Sequence, residues 1–128
     1  MRILYVEDNE PNFQLVQKIL AYDRHDVAHA NDGTHALAMV RERRPDLVLM
    51  DLGLPGMDGY ETARRLRDLP GMAEVPIAAL TASVRETDHE RAKREGFVGF
   101  IEKPFRVDRL RKEVARILGT PISSTPPP

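Results

Sequence analysis

Five polar side chains stand behind short apolar runs, and their types suit phosphoryl transfer. Glu7 and Asp8 follow the run Ile3 to Val6, and Asp51 follows Leu47 to Met50. Thr81 follows Ile77 to Leu80, and Lys103 comes shortly after Phe97 to Ile101. Three carboxylates drawn into one crevice repel, and at that density at least one is forced to keep its proton. A hard divalent cation relieves the conflict. Mg²⁺ takes oxygen ligands, few of them protein carboxylates, and retains waters. A lysine facing the cluster pairs with a carboxylate at rest and with a phosphoryl oxygen later. A threonine hydroxyl donates to another such oxygen. Asp51 is then the nucleophile, with Mg²⁺ and Lys103 neutralising charge on the group in transit. Singly, each residue has a plainer role. Glu7 and Asp8 suit a solvated, capping loop, and a lone Thr or Lys at a strand end is ordinary solvation. Five of them at four strand ends are much harder to dismiss.

Adjacent strands must position these residues. Five apolar runs, the four above and Val27 to Ala30, alternate with helix-like stretches. That alternation reads as βα units and a parallel sheet. The first, third and fourth runs are nearly unbroken, as strands covered on both faces are. His29 interrupts the second and Gly99 the fifth, which marks both as edges. With right-handed crossovers, the strand order is 2-1-3-4-5, an α/β, flavodoxin-like, doubly wound sheet with five helices. In such a sheet ligands bind beyond the carboxyl ends of the strands, at the switch point between strands one and three.

The helices carry start signals. Asn9 caps the first, with Pro11 in its opening turn. Asp32-Gly33 opens the second, and Asp58 with Glu61 forms a capping box for the third. The fourth has two candidate boxes, Ser83 to Glu86 and Thr87 to Glu90. Its anchors are few, mainly Val84 and Ala92 amid eight charges, so it should be weakly held and mobile. In the last helix Val107, Leu110, Val114, Ile117 and Leu118 share one face. The same helix carries Arg106, Arg109, Arg111, Lys112 and Arg116 against Asp108 and Glu113. This reads as an exposed cationic face or as a patch for an acidic partner.

The chain has 128 residues, enough for one domain. Without cysteine it can form no disulfide, thiolate–metal site or thiol nucleophile. Nineteen basic against twenty acidic residues leave a charge of −1, which argues against direct DNA binding. No apolar run nears the ~18 residues of a membrane span, and the N-terminus lacks a signal-peptide pattern. The expectation is a cytoplasmic protein. Residues 120–128, with four prolines and no charge, should form a disordered tail behind a folded domain of residues 1–119. His25 and His29, four residues apart on one strand, are ~13 Å apart and too distant to share a metal. His35 and His89 should be solvated.

The motifs Val6-Glu7-Asp8-Asn9, Leu49-Met50-Asp51-Leu52-Gly53-Leu54-Pro55-Gly56-Met57-Asp58-Gly59, Leu80-Thr81-Ala82 and Phe100-Ile101-Glu102-Lys103-Pro104-Phe105 together resemble the receiver domain of two-component response regulators. The resemblance covers residues 1 to about 119. It implies that Asp51 accepts phosphate from a sensor histidine kinase or a histidine phosphotransfer protein. It implies that Glu7, Asp8, Asp51 and the Gly53 carbonyl hold Mg²⁺, that Thr81 and Lys103 bind the phosphoryl group, and that Phe100 is the switch aromatic. A cis Lys103–Pro104 bond goes with it. The first acidic position is Glu rather than the commoner Asp. The expected output is a single-domain regulator whose helix 4–strand 5–helix 5 face binds a downstream protein. A phosphorelay intermediate, or a receiver cut from a larger protein, uses the same site. It should catalyse nothing beyond its own phosphorylation and dephosphorylation. An aspartyl phosphatase of the haloacid-dehalogenase kind would need a second Asp where Gly53 stands. An FMN binder would need a hydroxyl-rich loop where Glu7-Asp8-Asn9-Glu10 would repel phosphate.

Overall fold

Aliphatic runs become strands and the amphipathic stretches between them become helices, in strict alternation. The computed structural model describes residues 1–53, 58–82 and 85–122. Their elements are β1 (Arg2–Val6), α1 (Glu10–Ala21), β2 (Asp26–Ala30), α2 (Gly33–Glu42), β3 (Leu47–Asp51), α3 (Gly59–Arg67), β4 (Ile77–Thr81), α4 (Glu86–Arg94), β5 (Gly99–Glu102) and α5 (Val107–Leu118). The five strands form one parallel sheet in the order β2-β1-β3-β4-β5, as the run pattern predicts. Every residue of β3 is buried, whereas the edge strands β2 and β5 carry half-exposed positions.

Side chains alternate between the faces of a strand, and here the alternation sorts the core into two layers. Leu4, Val6, Val48, Met50, Ile77 and Ala79 pack with residues of α2, α3 and α4. Ile3, Tyr5, Leu47, Leu49, Ala78, Leu80 and Ile101 pack on the other face with α1 and α5. The caps form as expected on three helices. Asn9, Asp32 and Asp58 each accept from the backbone N–H three residues on, at 2.9, 2.8 and 2.8 Å. The capping box at α3 is half formed, because the Glu61 carboxylate turns to Arg65 instead, at 2.9 Å.

Several expectations need correcting. The fifth strand starts at Gly99, not Phe97. Gly96, at φ +88°, ends α4 in a left-handed turn, and Phe97 N–H and Gly96 N–H bond back to Ala92 and Lys93 carbonyls at 3.0 and 3.1 Å. Phe97 therefore closes the helix, and its ring buries edge-on against Tyr60. This is a Schellman ending, with Gly where a left-handed residue is needed. Thr87 does not start α4 but lies within it. Arg85 stands at the cap, and its side chain does not cap the helix. Ser83 and Val84 lie outside the described residues, as do Leu54 to Met57 and the part of the proline-rich tail beyond Ile122. Ala92 alone is buried in α4, in keeping with its expected weak anchorage. Val107 is exposed rather than part of the α5 apolar face. Arg111, read as part of the exposed cationic face, is buried, because Asp23 takes its guanidinium in a two-pronged pair at 2.9 and 2.8 Å. His25 precedes β2 rather than lying on it and is buried, and burial lowers its pKa. His89 is half-buried, not solvated, because its ring rests on Phe100.

Candidate functional site

The same alternation that sorts the core also aims the polar side chains. Tyr5, Leu49 and Ile101 face α1 and α5. Two residues further on, Glu7, Asp51 and Lys103 leave their strands on that same side. Pairing of the central strands brings their ends together, with Val6 beside Met50 and Asp51 beside Leu80. Backbone bonds across the ends hold them there: Glu7 N–H to Ala30 C=O at 3.0 Å, and Lys103 N–H to Thr81 C=O at 2.8 Å. Gly59 matters to this position. A Cβ there would meet the Asp51 carbonyl oxygen at 2.9 Å, so only glycine lets the first turn of α3 close against Asp51.

Lys103 Nζ lies 2.8 Å from Glu7 Oε2 and 3.0 Å from Asp51 Oδ2. Glu7 Oε2 also accepts the Tyr5 hydroxyl at 2.7 Å. Asp51 Oδ1 accepts Gly53 N–H at 2.9 Å. Glu7 and Asp51 are both buried, whereas Asp8 is exposed. These contacts split the two carboxylates that share the lysine. Burial alone would raise Glu7, but its bonds from Lys103 and Tyr5 overcome that and hold its pKa below the ordinary glutamate value. Burial raises Asp51, the Glu7 charge adds to the rise, and Gly53 N–H and Lys103 offset only part of it. Burial disfavours the Lys103 ammonium, yet its two carboxylate bonds raise its pKa. Burial thus weighs against the Asp51 anion, whereas the bonds from Lys103 and Tyr5 favour the Glu7 anion, and Lys103 is held against both.

Carboxylate oxygens of Glu7, Asp8 and Asp51 lie within 4.8 Å of one another. They border a cleft of about 370 Å³ that is also lined by Asn9, Asn12, Gly53, Thr81, Ala82 and Lys103. An all-oxygen, net acidic donor set around an open cleft fits a hard cation such as Mg²⁺. The residues singled out from the sequence, Glu7, Asp8, Asp51, Gly53, Thr81 and Lys103, therefore meet in one place. Thr81 follows Ala79 in alternation and leans toward the α3–α4 layer, where Phe100 also packs. The Lys103–Pro104 peptide is cis, as the resemblance implies.

Two contributors were not singled out. Tyr5 reads as core, and only its place two residues before Glu7 on one strand face signals the contact. His29 bonds through Nε2 to the Glu7 carbonyl at 2.7 Å and stacks on Phe13 at 4.2 Å. Its strand-edge position signals neither contact, because both partners come from other elements.

A family model for the response regulator receiver domain matches residues 3–115. The polar-differentiation response regulator DivK of Brucella anthropi is 34% identical over 117 residues, which cover 91% of this chain and 95% of that one. Among solved structures, the chemotaxis protein CheY4 of Vibrio cholerae superposes with a TM-score of 0.86 at 30% identity, covering 91% of this chain and 98% of that one. The receiver domain of a Pseudomonas aeruginosa sensor histidine kinase, solved with a magnesium ion coordinated in its active site cleft, does so with a TM-score of 0.83 at 34% identity. It covers 93% of this chain and 98% of its own.

Proposed function

The chain belongs to the response regulator receiver domain family, and from that premise we propose that Asp51 is its phosphoacceptor. The donor is a phosphohistidine on a sensor histidine kinase or a histidine phosphotransfer protein. An Asp51 carboxylate oxygen bonds to phosphorus while the P–N bond to the donor imidazole breaks. The imidazole leaves with the bonding pair and takes a proton. The observation that carries this reading is the Lys103 ammonium shared between Glu7 and Asp51 at the base of the cleft. It already sits beside the nucleophile, and Glu7 keeps it charged, so it can turn to phosphoryl oxygens without crossing the site. Thr81, on the cleft wall, donates to a second oxygen.

Glu7, Asp8, Asp51 and the Gly53 carbonyl form the oxygen set for Mg²⁺. Bound there, the ion neutralises the carboxylates and the charge of the incoming group. The magnesium found in the cleft of the P. aeruginosa receiver supports this assignment. Turnover is limited to the chain's own phosphorylation and dephosphorylation. No helix among the described residues is long and apolar enough to cross a membrane, and we place the protein in the cytoplasm with its kinase. The folded receiver spans residues 1–119.

The output face is α4, β5 and α5. A groove of about 400 Å³ beside β5 is lined by Phe100, Lys103, Arg106, Arg109, Lys112 and Glu113, among others. Among the described residues Arg109 and Lys112 have no ion pair, so this face suits a downstream protein rather than the interior of this one. Mass spectrometry after incubation with acetyl phosphate and Mg²⁺ tests the chemistry. One phosphoryl group should appear on the native chain and none on Asp51→Asn. Likeness to a receiver carried by a sensor kinase favours one further reading, in which phosphate passes onward from Asp51 to a phosphotransfer histidine. Loss of label from the chain to an added phosphotransfer protein tests it.

A further inference from the structure

β5 is an outer strand of the sheet, and two hollows of opposite character flank its free edge. On the α5 side, the groove of about 400 Å³ has Arg106, Arg109, Lys112 and Arg116 along its helical wall. On the α4 side lies a hollow of about 220 Å³ bounded by Ala92, Phe97, Val98 and Phe100, with His89 and Lys93 also in its lining. The edge between them offers backbone groups. Lys103 N–H bonds to Thr81 C=O, and Thr81 pairs with Glu102 in the register. Backbone groups turn to opposite sides at successive residues of a strand. Those of Ile101 and Lys103 therefore face β4, and the N–H and C=O of Phe100 and Glu102 point out of the sheet. Just before the strand, Arg116 Nη2 donates to Val98 C=O at 2.9 Å, so α5 side chains reach this edge. Arg116 also pairs with Glu113, and Arg106 lies 3.9 Å from Asp108. Arg109 and Lys112 have no ion pair among the described residues. Glu102 is the acid on the strand itself, and by alternation it faces the α4 side, 3.9 Å from His89.

We propose that this edge takes an extended segment of a partner protein, alternately acidic and apolar, which adds to β5 as a further strand. The inference rests on the output-face reading above and gives that face its partner chemistry. Main-chain bonds to Phe100 and Glu102 hold the segment, and its alternate side chains set its sequence. Side chains of a strand point to opposite faces in turn, with like-facing ones roughly 7 Å apart. One set, Asp or Glu, meets Arg109 and Lys112, where the cations are without acids of their own. The other set, aliphatic, enters the hollow between α4 and β5. An amphipathic helix cannot do both. It would cover the edge, strip water from the backbone groups of Phe100 and Glu102, and return no hydrogen bonds.

The probe is a short peptide alternating Glu and Val, blocked at both ends and titrated into the isotope-labelled full chain. Amide resonances of Phe100 and Glu102 should move together with those of Arg109 and Lys112. The double variant Arg109→Ala, Lys112→Ala should bind about tenfold more weakly, the order of two partly exposed ion pairs lost. Both residues are surface cations, so the variant should keep its fold and its phosphorylation by acetyl phosphate. A peptide of the same composition with its Val residues at helical spacing should bind more weakly. So should one methylated at alternate backbone nitrogens, and one with Lys in place of Glu. The titration is repeated with a beryllofluoride mimic on Asp51, and affinity should differ between the two states because Phe100 lines both hollows.

Equal binding of the helically spaced or the methylated peptide overturns strand addition. Equal binding of the Lys peptide overturns the charge assignment. A short single-stranded DNA that binds this groove as tightly overturns the peptide as its ligand, and a dimer of the chain that covers the β5 edge overturns the partner. Absence of binding in both states sinks the strand site, while mass spectrometry still decides the phosphoacceptor reading. Binding at Phe100 and Glu102 that is equal in both states supports the strand site and sinks the output-face reading alone.

Discussion

The ring of His89 on α4 rests on that of Phe100 on β5, with centroids 3.8 Å apart. His89 Nε2 also lies 3.9 Å from Glu102 Oε1. These contacts tie a helix with one buried residue to the strand beside the cleft. A phosphoryl group on Asp51 should draw Thr81 toward it and open space on the α3–α4 face, where Phe100 already packs. Phe100 should then turn inward and leave His89, and α4 should move with the change. A ligand shifts such an equilibrium only by its differential affinity for the two states. Addition of a beryllofluoride phosphate mimic should move amide resonances at Thr81, Ala82, Phe100 and along α4, while α1 beyond its first turn changes little. His89→Ala should shift Phe100 without any mimic. Changes confined to the neighbours of Asp51 would refute the coupling.

Asp51→Asn should leave the metal-free protein as stable as the native chain or more so at pH 7. The sign follows from the raised Asp51 pKa. A carboxyl whose folded pKa exceeds its unfolded value favours folding below the unfolded pKa, and that advantage is lost as pH rises through the folded one. At neutral pH the native chain therefore carries a penalty that the amide lacks. The gap in melting temperature should close as pH falls below the ordinary aspartate range. A large loss of stability in Asp51→Asn at pH 7 would contradict this.

Lys103→Ala leaves Glu7 buried with only Tyr5 and Asn9 as partners. Breaking a buried pair on one side costs about 3–5 kcal/mol, and the remaining donors here should keep the loss at the low end. Phosphorylation should slow by about 10²–10³-fold, the range for one lost charge-stabilising donor. Mg²⁺ should raise the melting temperature of the native chain, by linkage worth about 2.7 kcal/mol at a hundredfold excess over Kd. It should restore part of the stability lost in Lys103→Ala. Thermal melts with and without Mg²⁺, and the rate of label uptake, check the three statements separately.

Arg111 and Asp23 should matter to the fold and not to the chemistry. Their side chains are 9% and 2% exposed, and the pair joins α5 to the turn after α1. Asp23→Ala leaves a buried guanidinium without its carboxylate and should cost about 3 kcal/mol or more, seen as a lower denaturant midpoint. At a temperature where the variant is folded, its phosphorylation rate should match the native one. A variant as stable as the native chain would show that the pair contributes little.

Much of this was legible in the residues because it rests on periodicity and local chemistry. Unbroken aliphatic runs require strands covered on both faces, and with right-handed crossovers that is enough for the order 2-1-3-4-5. Asn9, Asp32 and Asp58 cap helices through bonds that span three residues, so their role is visible locally. The convergence of Glu7, Asp8, Asp51, Thr81 and Lys103 follows once the strands are parallel and adjacent, because all five stand at carboxyl ends.

Only the tertiary structure decided which partner each polar group takes. Lys103 and Glu7 are 96 positions apart, and Arg111 and Asp23 are 88 apart. No local pattern distinguishes a buried arginine that finds a carboxylate from an exposed one, so Arg111 reads as surface until α5 is packed. Phe97 reads as strand because it is apolar and adjoins an apolar run, but Gly96 ends α4 one residue earlier and binds it into the helix's closing turn. His89 reads as solvated because its helix neighbours are charged, yet the face it presents meets Phe100. Periodicity gives the side a residue faces. Whether a charge there is paired, shared or left to water depends on atoms brought in by distant segments, and the packing of those segments settles it.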